Sequence, residues 1–224
     1  KSAVKAIAAR NGLYASFMPK PLHDQSGNGL HVNMSLMRDG KNLFEGPLTP
    51  DSEAGHFVAG ILAHARELTA FCNPVPNSYA RLGANEAPLY ISWSRQNRSQ
   101  LVRLPSASGD LCRVELRGPD PAGNPYLVIG LILAAGLDGI ARKLPLAEPV
   151  NRNLFHPSAA VGLESLPRSL REAITVAAQS DFIAAELPLA LQNKYFEYQT
   201  QLCHGYENAP DPAVWERTHG FLVI

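Results

Sequence analysis

The sequence predicts an α+β fold in which an antiparallel β-sheet with polar-faced strands packs against helices. Residues 30–37 alternate between apolar and polar side chains, as a strand with one buried face does. Residues 113–117 repeat this alternation with charged side chains. Residues 126–143 are apolar on nearly every side, which is typical of a buried helix. Strands and helices do not follow a βαβ order, so a parallel sheet is not expected.

The other elements follow from periodicity and from residues that begin or end helices. Residues 1–10 have helical spacing and stop at Asn11-Gly12, where both residues tolerate left-handed backbone. Asp51-Ser52 can cap a long helix that runs to about Cys72. The further elements are a loop at 83–88, strands at 89–93 and 100–104, and helices at about 168–178 and 184–201.

The composition is that of an ordinary globular protein without a charge bias. A chain of 224 residues with 46% hydrophobic residues can bury one sizeable core, so we expect one domain. Twenty basic and twenty acidic side chains cancel, which disfavours nucleic acid or a membrane as the main partner. The three cysteines form no CxxC pair, which favours a reducing, cytoplasmic compartment. The longest apolar run, residues 126–137, is shorter than the about 20 residues that span a membrane.

The polar face of the strand at residues 30–37 is the first candidate site. His31, Asn33 and Ser35 share this face. The loop Gly27-Asn28-Gly29 precedes them, and its glycines let the backbone approach a ligand closely. An isolated histidine is more often packed or solvated than a ligand, but these neighbours favour a binding site.

The charged strand face formed by Arg113, Glu115 and Arg117 is the second candidate. Alternating charges most often form the solvated face of an antiparallel sheet. If this face instead adjoins the first one, His31 and Glu115 offer a nitrogen and an oxygen ligand to Mg²⁺ or Mn²⁺. The arginines would then hold carboxylate or phosphate groups. Metal and arginines together indicate phosphoryl transfer.

A third cluster consists of Arg81, Arg95, Arg98 and Arg103. Surface arginines are common, so the cluster alone indicates little. Beside the two polar strands, it resembles the clamp that neutralises a transferring phosphoryl group. The chain has no Walker A, GxSxG, HExxH or GxGxxG motif, which disfavours P-loop, common hydrolase, zinc-protease and dinucleotide-binding proteins.

These motifs resemble those of the glutamine synthetase family. Lys20-Pro21, then Gly27, Gly29, His31 and Ser35, are similar to its ATP-binding signature, a Lys-Pro and a Gly-x-Gly-x-His-x-x-x-Ser pattern. The resemblance spans nearly the whole chain and becomes loose after about Pro157. Further similar segments follow in the family's order at 73–74, 77–82, 86–88, 97–99, 103–105, 113–117 and 119–126.

The resemblance implies a metal site and a glutamate site. His31 and Glu115 would bind the Mg²⁺ or Mn²⁺ that bridges the ATP phosphates. Glutamate would lie over Gly27 and His31, and its carboxylates would be bound by Arg81 and Arg117.

The resemblance also implies the residues that act on the nucleotide and on the reacting groups. Glu86, in a flap loop, would shield a γ-glutamyl phosphate and accept a proton from the attacking ammonium, and Arg98 would face the phosphoryl group. ATP would phosphorylate the γ-carboxylate of glutamate, and an amine would then displace phosphate. The ATP-binding residues would be Asn33, Ser35, Arg103 and Arg113.

Two alternatives to a glutamate–ammonia ligase stay open. Relatives that ligate a polyamine or another amine to glutamate share most of these motifs. The family also includes non-catalytic structural or regulatory homologues, whose expected mark is the loss of ligand residues. That loss is not seen here at His31, Glu86, Arg98, Glu115 and Arg117.

The resemblance further implies that residues 1–224 are a catalytic domain truncated at its N-terminus. The family's small β-grasp domain and the first part of its catalytic domain, with further metal-binding glutamates, would precede the chain. We therefore expect the isolated chain to be inactive and the full-length protein to form a double-ring homo-oligomer. Phe155 lies where regulated bacterial members carry a tyrosine that accepts AMP, so no adenylylation is expected there.

Overall fold

Helices and two small sheets build the fold, which confirms the α+β class. In the computed structural model, which describes residues 1–223, the strands are β1 (Val32–Met34), β2 (Met37–Arg38), β3 (Lys41–Asn42), β4 (Trp93–Arg95), β5 (Val102–Leu104) and β6 (Val114–Leu116). The helices are α1 (Ser2–Arg10), α2 (Glu53–Ala63), α3 (Ala65–Cys72), α4 (Pro76–Arg81), α5 (Pro125–Arg142), α6 (Leu170–Ala178), α7 (Asp181–Glu186), α8 (Leu189–Glu207) and α9 (Pro212–Glu216). Short 3₁₀ turns lie at Gly109–Leu111 and Pro157–Ala160, and a π-helical turn at Arg217–Phe221 follows α9.

The larger sheet has the strand order β1-β6-β5-β4. Strand β6 pairs antiparallel with β1 and with β5, so that Glu115 has Asn33 as its Cα partner on one side and Arg103 on the other. The antiparallel sheet that the sequence predicts is found in two of the three strand pairings, and β4 pairs parallel with β5. The register places polar residues from three strands on one face of the sheet.

The strands are shorter than predicted. The alternating segment at 30–37 divides into β1 and β2, and β2 forms a hairpin with β3. In the predicted strand at 89–93, Tyr90 forms only an isolated bridge to Ser165, and regular pairing begins at Trp93. Periodicity detects which residues share a face, but the length of a ladder depends on partners that are distant in sequence.

The apolar face of the larger sheet and helices α2, α3 and α5 form one core. Val102 and Val114 of the sheet are fully buried there, together with Phe57, Ile61 and Ile132 of the helices. Because strand residues alternate in direction, the polar residues between the buried ones project from the opposite face. Burial of one face therefore determines which face is available for a site.

Helices α2 and α5 pack backbone against backbone. A Cβ atom added at Gly60 would lie 2.1 Å from the carbonyl oxygen of Ala135, and one added at Gly139 would lie 2.2 Å from that of His56. Neither position has room for any side chain, since real Cβ contacts are much longer than this. The two glycines allow the close helix crossing that supports the sheet.

The long helix predicted from residue 51 to residue 72 is interrupted at His64, which ends α2 and begins α3. Both ring nitrogens of His64 face carboxylates, Nδ1 toward Glu67 and Nε2 toward Asp138 at 2.8 Å. Its ring also stacks on Phe182, with centroids 3.9 Å apart. Helix α4 was not predicted, although Pro76 at its first position is a known helix-start signal.

The prediction that α5 is buried is wrong for one side of the helix. Val128 and Ile132 lie in the core, but Tyr126 is 86% exposed and Leu137 56% exposed. By length and composition α5 is the one helix in residues 1–223 that could cross a membrane, but its other side packs against α2. An apolar helix with one outward side is typical of a contact surface.

Candidate active site

His31 and Glu115 meet at the edge between β1 and β6. His31 immediately precedes β1, and Glu115 is the central residue of β6. The pairing of Val32 with Leu116 brings the two polar faces together, and His31 Nδ1 lies 3.0 Å from Glu115 Oε1. The two residues that periodicity assigned to separate strand faces therefore share one site.

Two guanidinium groups and one imidazole surround the Glu115 carboxylate, which is nearly buried. Arg103 Nη1 lies 3.0 Å and Arg117 Nη1 3.5 Å from its Oε2 atom, while His31 faces the other oxygen. Burial alone would raise the pKa of Glu115, but the Arg103 hydrogen bond and the Arg117 charge outweigh it and lower the pKa below its ordinary value. Glu115 is therefore a carboxylate at neutral pH and can act as an acceptor or ligand.

The pKa of His31 is shifted below its ordinary value. Burial is the main cause, and the positive charge of Arg117 adds to it, against the opposing effect of Glu115. At neutral pH the imidazole is therefore mainly uncharged, which is the form that binds metals.

Arg81 and Arg117 are buried arginines beside this pair, each with 3% exposure. Arg81 donates to the carbonyl oxygens of Gly118 at 2.7 Å and of Arg117 at 3.2 Å. Arg117 donates through Nη2 to the carbonyl oxygen of Glu86 at 3.3 Å. The Nε–H of Arg117 is buried and has no acceptor within residues 1–223. A buried donor without a partner is costly, so this group would gain from an anion in the cleft.

A cleft of about 530 Å³ opens above these residues. Gly27 is crowded at its edge, where a Cβ atom would lie 2.4 Å from the Pro19 carbonyl oxygen and 3.2 Å from Arg81 Cγ. Only glycine fits there, so the loop backbone lies directly on the arginine that lines the cleft. The lining residues are Ser26, Gly27, Gly29, His31, Arg81, Ala84, Asn85, Glu86, Ala87 and Arg117.

The predicted nucleotide residues lie on the same sheet face, farther along β1 and β6. Asn33 Oδ1 accepts a hydrogen bond from Arg113 Nε at 3.0 Å. Ser35 Oγ donates to the Cys112 carbonyl oxygen at 2.9 Å. Arg103, on β5, already contacts Glu115. Asn33 and Arg113 are thus joined to each other, while Arg103 is joined to the His31–Glu115 pair.

Arg98 is apart from the residues that line the cleft. It lies exposed in the turn between β4 and β5, and its side chain makes no hydrogen bond or ion pair with another site residue in the described part of the chain. Arg95 is likewise exposed, at the end of β4. Arg95 and Arg98 were grouped with Arg81 and Arg103 because they are close in sequence. In the structure the side chains of Arg95 and Arg98 are exposed to solvent.

Sequence reasoning placed Lys20 in the ATP-binding signature and assigned no contact to Gln25 or Asn85. These three residues hold the loops around the cleft. Lys20 Nζ and Asn85 Nδ2 both donate to the carbonyl oxygen of Gln25. Asn85 has a positive φ of 51°, which asparagine tolerates better than most residues. An acceptor on the backbone leaves no trace in side-chain patterns, so these contacts had no sequence signal.

The donor set at His31 and Glu115 fits part of a divalent metal site. An imidazole nitrogen and a carboxylate oxygen are ligands that Mn²⁺ and Mg²⁺ accept. His31 Nδ1 and Glu115 Oε1 are joined by a hydrogen bond of 3.0 Å, so the two groups are close enough to bind one ion in its place. Within residues 1–223 no group of three or more metal-binding side chains forms, so these two provide an incomplete set of ligands.

Comparisons with known proteins identify relatives over almost the entire chain. The glutamine synthetase catalytic-domain family matches residues 1–218. A glutamine synthetase of Methanosarcina mazei is 51% identical over 195 residues, which is 84% of this chain and 44% of that protein. A glutamine synthetase of Staphylococcus epidermidis is 44% identical over 203 residues, which is 87% of this chain and 46% of that protein.

Solved structures give the same result for the fold. GmaS without ligand has a TM-score of 0.82 and 37% identity, with 96% of this chain and 50% of that chain covered. A GmaS/ADP complex has a TM-score of 0.83 and 36% identity, with 96% of this chain and 51% of that chain covered. The chain thus spans about half the length of the relatives it matches. Its match to the catalytic-domain family and its identity to named synthetases show that the chain belongs to the glutamine synthetase family.

Proposed function

We propose that the full-length protein containing this chain is an ATP-dependent ligase that joins ammonia to the γ-carboxylate of glutamate in the cytoplasm. The observation that carries the proposal is the contact of the Glu115 carboxylate with Arg103 and with His31 and Arg117, two residues that line the cleft. The carboxylate of such a site can bind a metal, and the neighbouring arginines can bind anionic substrates. In this proposal residues 1–224 are an N-terminally truncated catalytic domain.

Glutamate binding is the role proposed for the side of the cleft formed by Gly27, His31, Arg81 and Arg117. The buried Nε–H of Arg117 lacks an acceptor within the described chain, which supports a carboxylate as the natural occupant. Arg81 holds the backbone at Gly118, so the position of Arg117 is fixed before substrate arrives. A preformed cationic site reduces the cost of ordering on binding.

Metal and nucleotide binding are proposed for the rest of the polar face. His31 and Glu115 would provide two ligands, and a bound Mg²⁺ or Mn²⁺ would neutralise charge on the transferring phosphoryl group. Arg103 and Arg113 would hold nucleotide phosphates, and Asn33 and Ser35 would lie near the nucleoside. The structural relative solved with ADP supports a nucleotide in this fold.

The flap, residues 83–88, is proposed to shield the γ-glutamyl phosphate from water. A carboxylate oxygen is a poor leaving group, and conversion to the γ-glutamyl phosphate divides one difficult step into two easier ones. Glu86 lines the cleft from the flap, where its carboxylate could accept a proton from the attacking ammonium. Arg98 keeps its proposed role at the phosphoryl group only if the turn that carries it moves toward the cleft when substrates bind.

The test is an assay of the full-length protein with ATP, glutamate and a panel of amines that runs from ammonium to diamines. We expect release of phosphate that depends on both glutamate and ammonium, and no turnover by residues 1–224 alone. Glu115→Gln should abolish turnover, while Glu45→Gln, at an exposed position without a described ion pair, should not.

Three outcomes would contradict the proposal. A diamine or another amine used in preference to ammonium would identify a different γ-glutamyl ligase. Absence of turnover with every amine would favour a structural or regulatory homologue. Turnover by the isolated chain would refute the proposed truncation of the catalytic site.

A further inference from the structure

The carbonyl oxygen of Gln25 accepts hydrogen bonds from two segments that border the cleft. Lys20 Nζ donates to it from the segment before the loop formed by residues 21–29. Asn85 Nδ2 donates to it at 3.0 Å from the flap, residues 83–88. A carbonyl oxygen has two lone pairs, so one atom can bind both donors. The loop and the flap are thus joined at a single point.

Lys20 is a rigid part of this junction. The residue is 6% exposed, and its backbone N–H donates to Asn77 Oδ1 at 2.6 Å. Asn77 Nδ2 donates in turn to the Lys20 carbonyl oxygen at 3.1 Å and to Glu216 Oε2 at 3.0 Å. Both the N–H and the carbonyl oxygen of Lys20 are hydrogen-bonded to Asn77, so the backbone that carries the ammonium group is fixed. Its contact with Gln25 is charge-assisted and therefore stronger than one between neutral groups.

The loop beyond Gln25 returns to the same segment. Asn28 N–H donates to the Pro19 carbonyl oxygen at 2.7 Å, and Asn28 Nδ2 to that of Met18 at 2.8 Å. These bonds fix the end of the loop next to Gly29. Residues 22–26 between them are exposed, so the Gln25 carbonyl is their point of attachment to the buried Lys20.

The flap is attached to the cleft on its other side. Arg117 Nη2 binds the Glu86 carbonyl oxygen, one residue after Asn85. Ser26 and Gly27 of the loop line the same cleft as Asn85 and Glu86 of the flap. The loop and the flap therefore form two sides of the same cleft, and the Gln25 carbonyl oxygen joins them.

We propose that Lys20 and Asn85 are positioning residues that couple the 21–29 loop to the flap through the shared Gln25 carbonyl oxygen. Movement of either segment then changes the stability of the other, since coupling between two elements is reciprocal. The effect of this coupling on glutamate binding rests on the proposed ligase function. The coupling between the loop and the flap does not depend on that function.

Hydrogen exchange of the full chain tests the coupling without any substrate. The reporters are backbone amides that are hydrogen-bonded, those of Gln25 and Asn28 in the loop and those of Ala84 and Ala87 in the flap. Asn85→Asp keeps the size of the side chain and its tolerance of positive φ but removes the donor. We expect it to speed exchange at Gln25 and Asn28 about five- to tenfold, which corresponds to the loss of one hydrogen bond.

Lys20→Met should speed exchange at the flap amides Ala84 and Ala87, and Lys20→Arg should restore protection because it keeps a cationic donor. The matched controls are Asn193→Asp and Lys194→Met, whose side chains are exposed on α8 and form no hydrogen bond in the described structure. They should leave both sets of amides unchanged. Exchange that accelerates only within the mutated segment would overturn the coupling. The Asn85 variant keeps this test valid even if Lys20→Met fails to fold, because Asn85 is exposed.

Steady-state kinetics of the full-length protein test the positioning role. Asn85→Asp and Lys20→Met should raise the KM for glutamate about tenfold or more with a smaller change in kcat, and Lys20→Arg should return KM toward the original value. Unchanged KM values in variants that show coupled exchange would overturn the positioning role. If the unmodified protein has no ligase activity, the proposed function fails and the exchange data alone decide the coupling.

Discussion

Arg103 and Glu115 face each other across β5 and β6, with 3.0 Å between Nη1 and Oε2. Arg117 approaches the same carboxylate oxygen at 3.5 Å. The carboxylate therefore balances two guanidinium groups, of which that of Arg117 is nearly buried and that of Arg103 is partly exposed. Removal of its charge would leave both cations without a counter-charge.

Glu115→Gln is expected to destabilise the chain by about 2–4 kcal/mol, because it removes a nearly buried carboxylate and leaves both arginines charged without a partner. Urea denaturation followed by circular dichroism measures the change. Glu45→Gln is the matched control, since Glu45 is exposed and forms no described ion pair. A loss of less than about 0.5 kcal/mol for Glu115→Gln, the range of ordinary surface changes, would contradict this account.

Arg117→Lys is expected to weaken glutamate binding in the full-length protein by about tenfold or more. Lysine keeps the charge but loses the planar fork, including the buried Nε–H that has no acceptor within residues 1–223. Initial rates at varied glutamate concentration give the KM. Arg10→Lys, at the exposed end of α1, should leave KM unchanged. Equal KM values for both variants would show that Arg117 does not bind substrate.

Gly27→Ala is expected to displace the loop at the cleft and to cost about 1–3 kcal/mol of stability. The added methyl group would lie 2.4 Å from the Pro19 carbonyl oxygen. The backbone at Pro19 cannot move away as easily as a flexible side chain could. Gly46→Ala is the control, because no atom lies within 4 Å of its added Cβ. Thermal unfolding of the two variants provides the comparison. Equal melting temperatures would mean that the loop adapts freely.

The His64 cluster should make stability depend on pH. Burial alone would lower the pKa of His64, but hydrogen bonds to Glu67 and Asp138 outweigh it and raise the pKa above the ordinary value of about 6.5. A raised pKa in the folded state contributes stability that is fully present below the unfolded pKa and is lost as pH rises through the folded pKa. The pKa of Asp138 is lowered, because hydrogen bonds to His64 and Arg142 outweigh the effect of burial. Asp138 therefore stays ionised in this range.

We therefore expect the free energy of unfolding to fall more steeply in the original chain than in His64→Gln as the pH rises above about 6.5. Urea titrations at several pH values measure both slopes. His156→Gln changes an exposed histidine and should keep the original slope. Parallel curves for the original chain and His64→Gln would refute the contribution of this cluster.

Side-chain alternation predicted the polar face of the candidate site well. His31, Asn33 and Glu115 were placed on polar strand faces, and the structure joins those faces through the β1–β6 register. The register itself could not be predicted from local pattern, since it depends on pairing between residues more than 80 positions apart. Their assignment to one site came from the family resemblance.

Other features escaped local reasoning because distant contacts decide them. His64 interrupts a continuous helical pattern, and its carboxylate partner Asp138 lies on another helix. The outward side of α5, with Tyr126 and Leu137, has the same composition as the buried side, so hydropathy could not distinguish the two. Arg98 was grouped with the cleft arginines by sequence distance and by the family resemblance, and the turn after β4 leaves it exposed.

The crossing of α2 and α5 limits how this sequence can change over evolutionary time. In most cores a larger residue on one side can be offset by a smaller one opposite, so paired substitutions keep the volume constant. Gly136 lies against the ring of Phe57, and such an exchange is open to that pair. Gly60 and Gly139 meet each other's backbone, and neither can become smaller. No second substitution can compensate for a first one there, so both positions should remain glycine while the packing around them drifts.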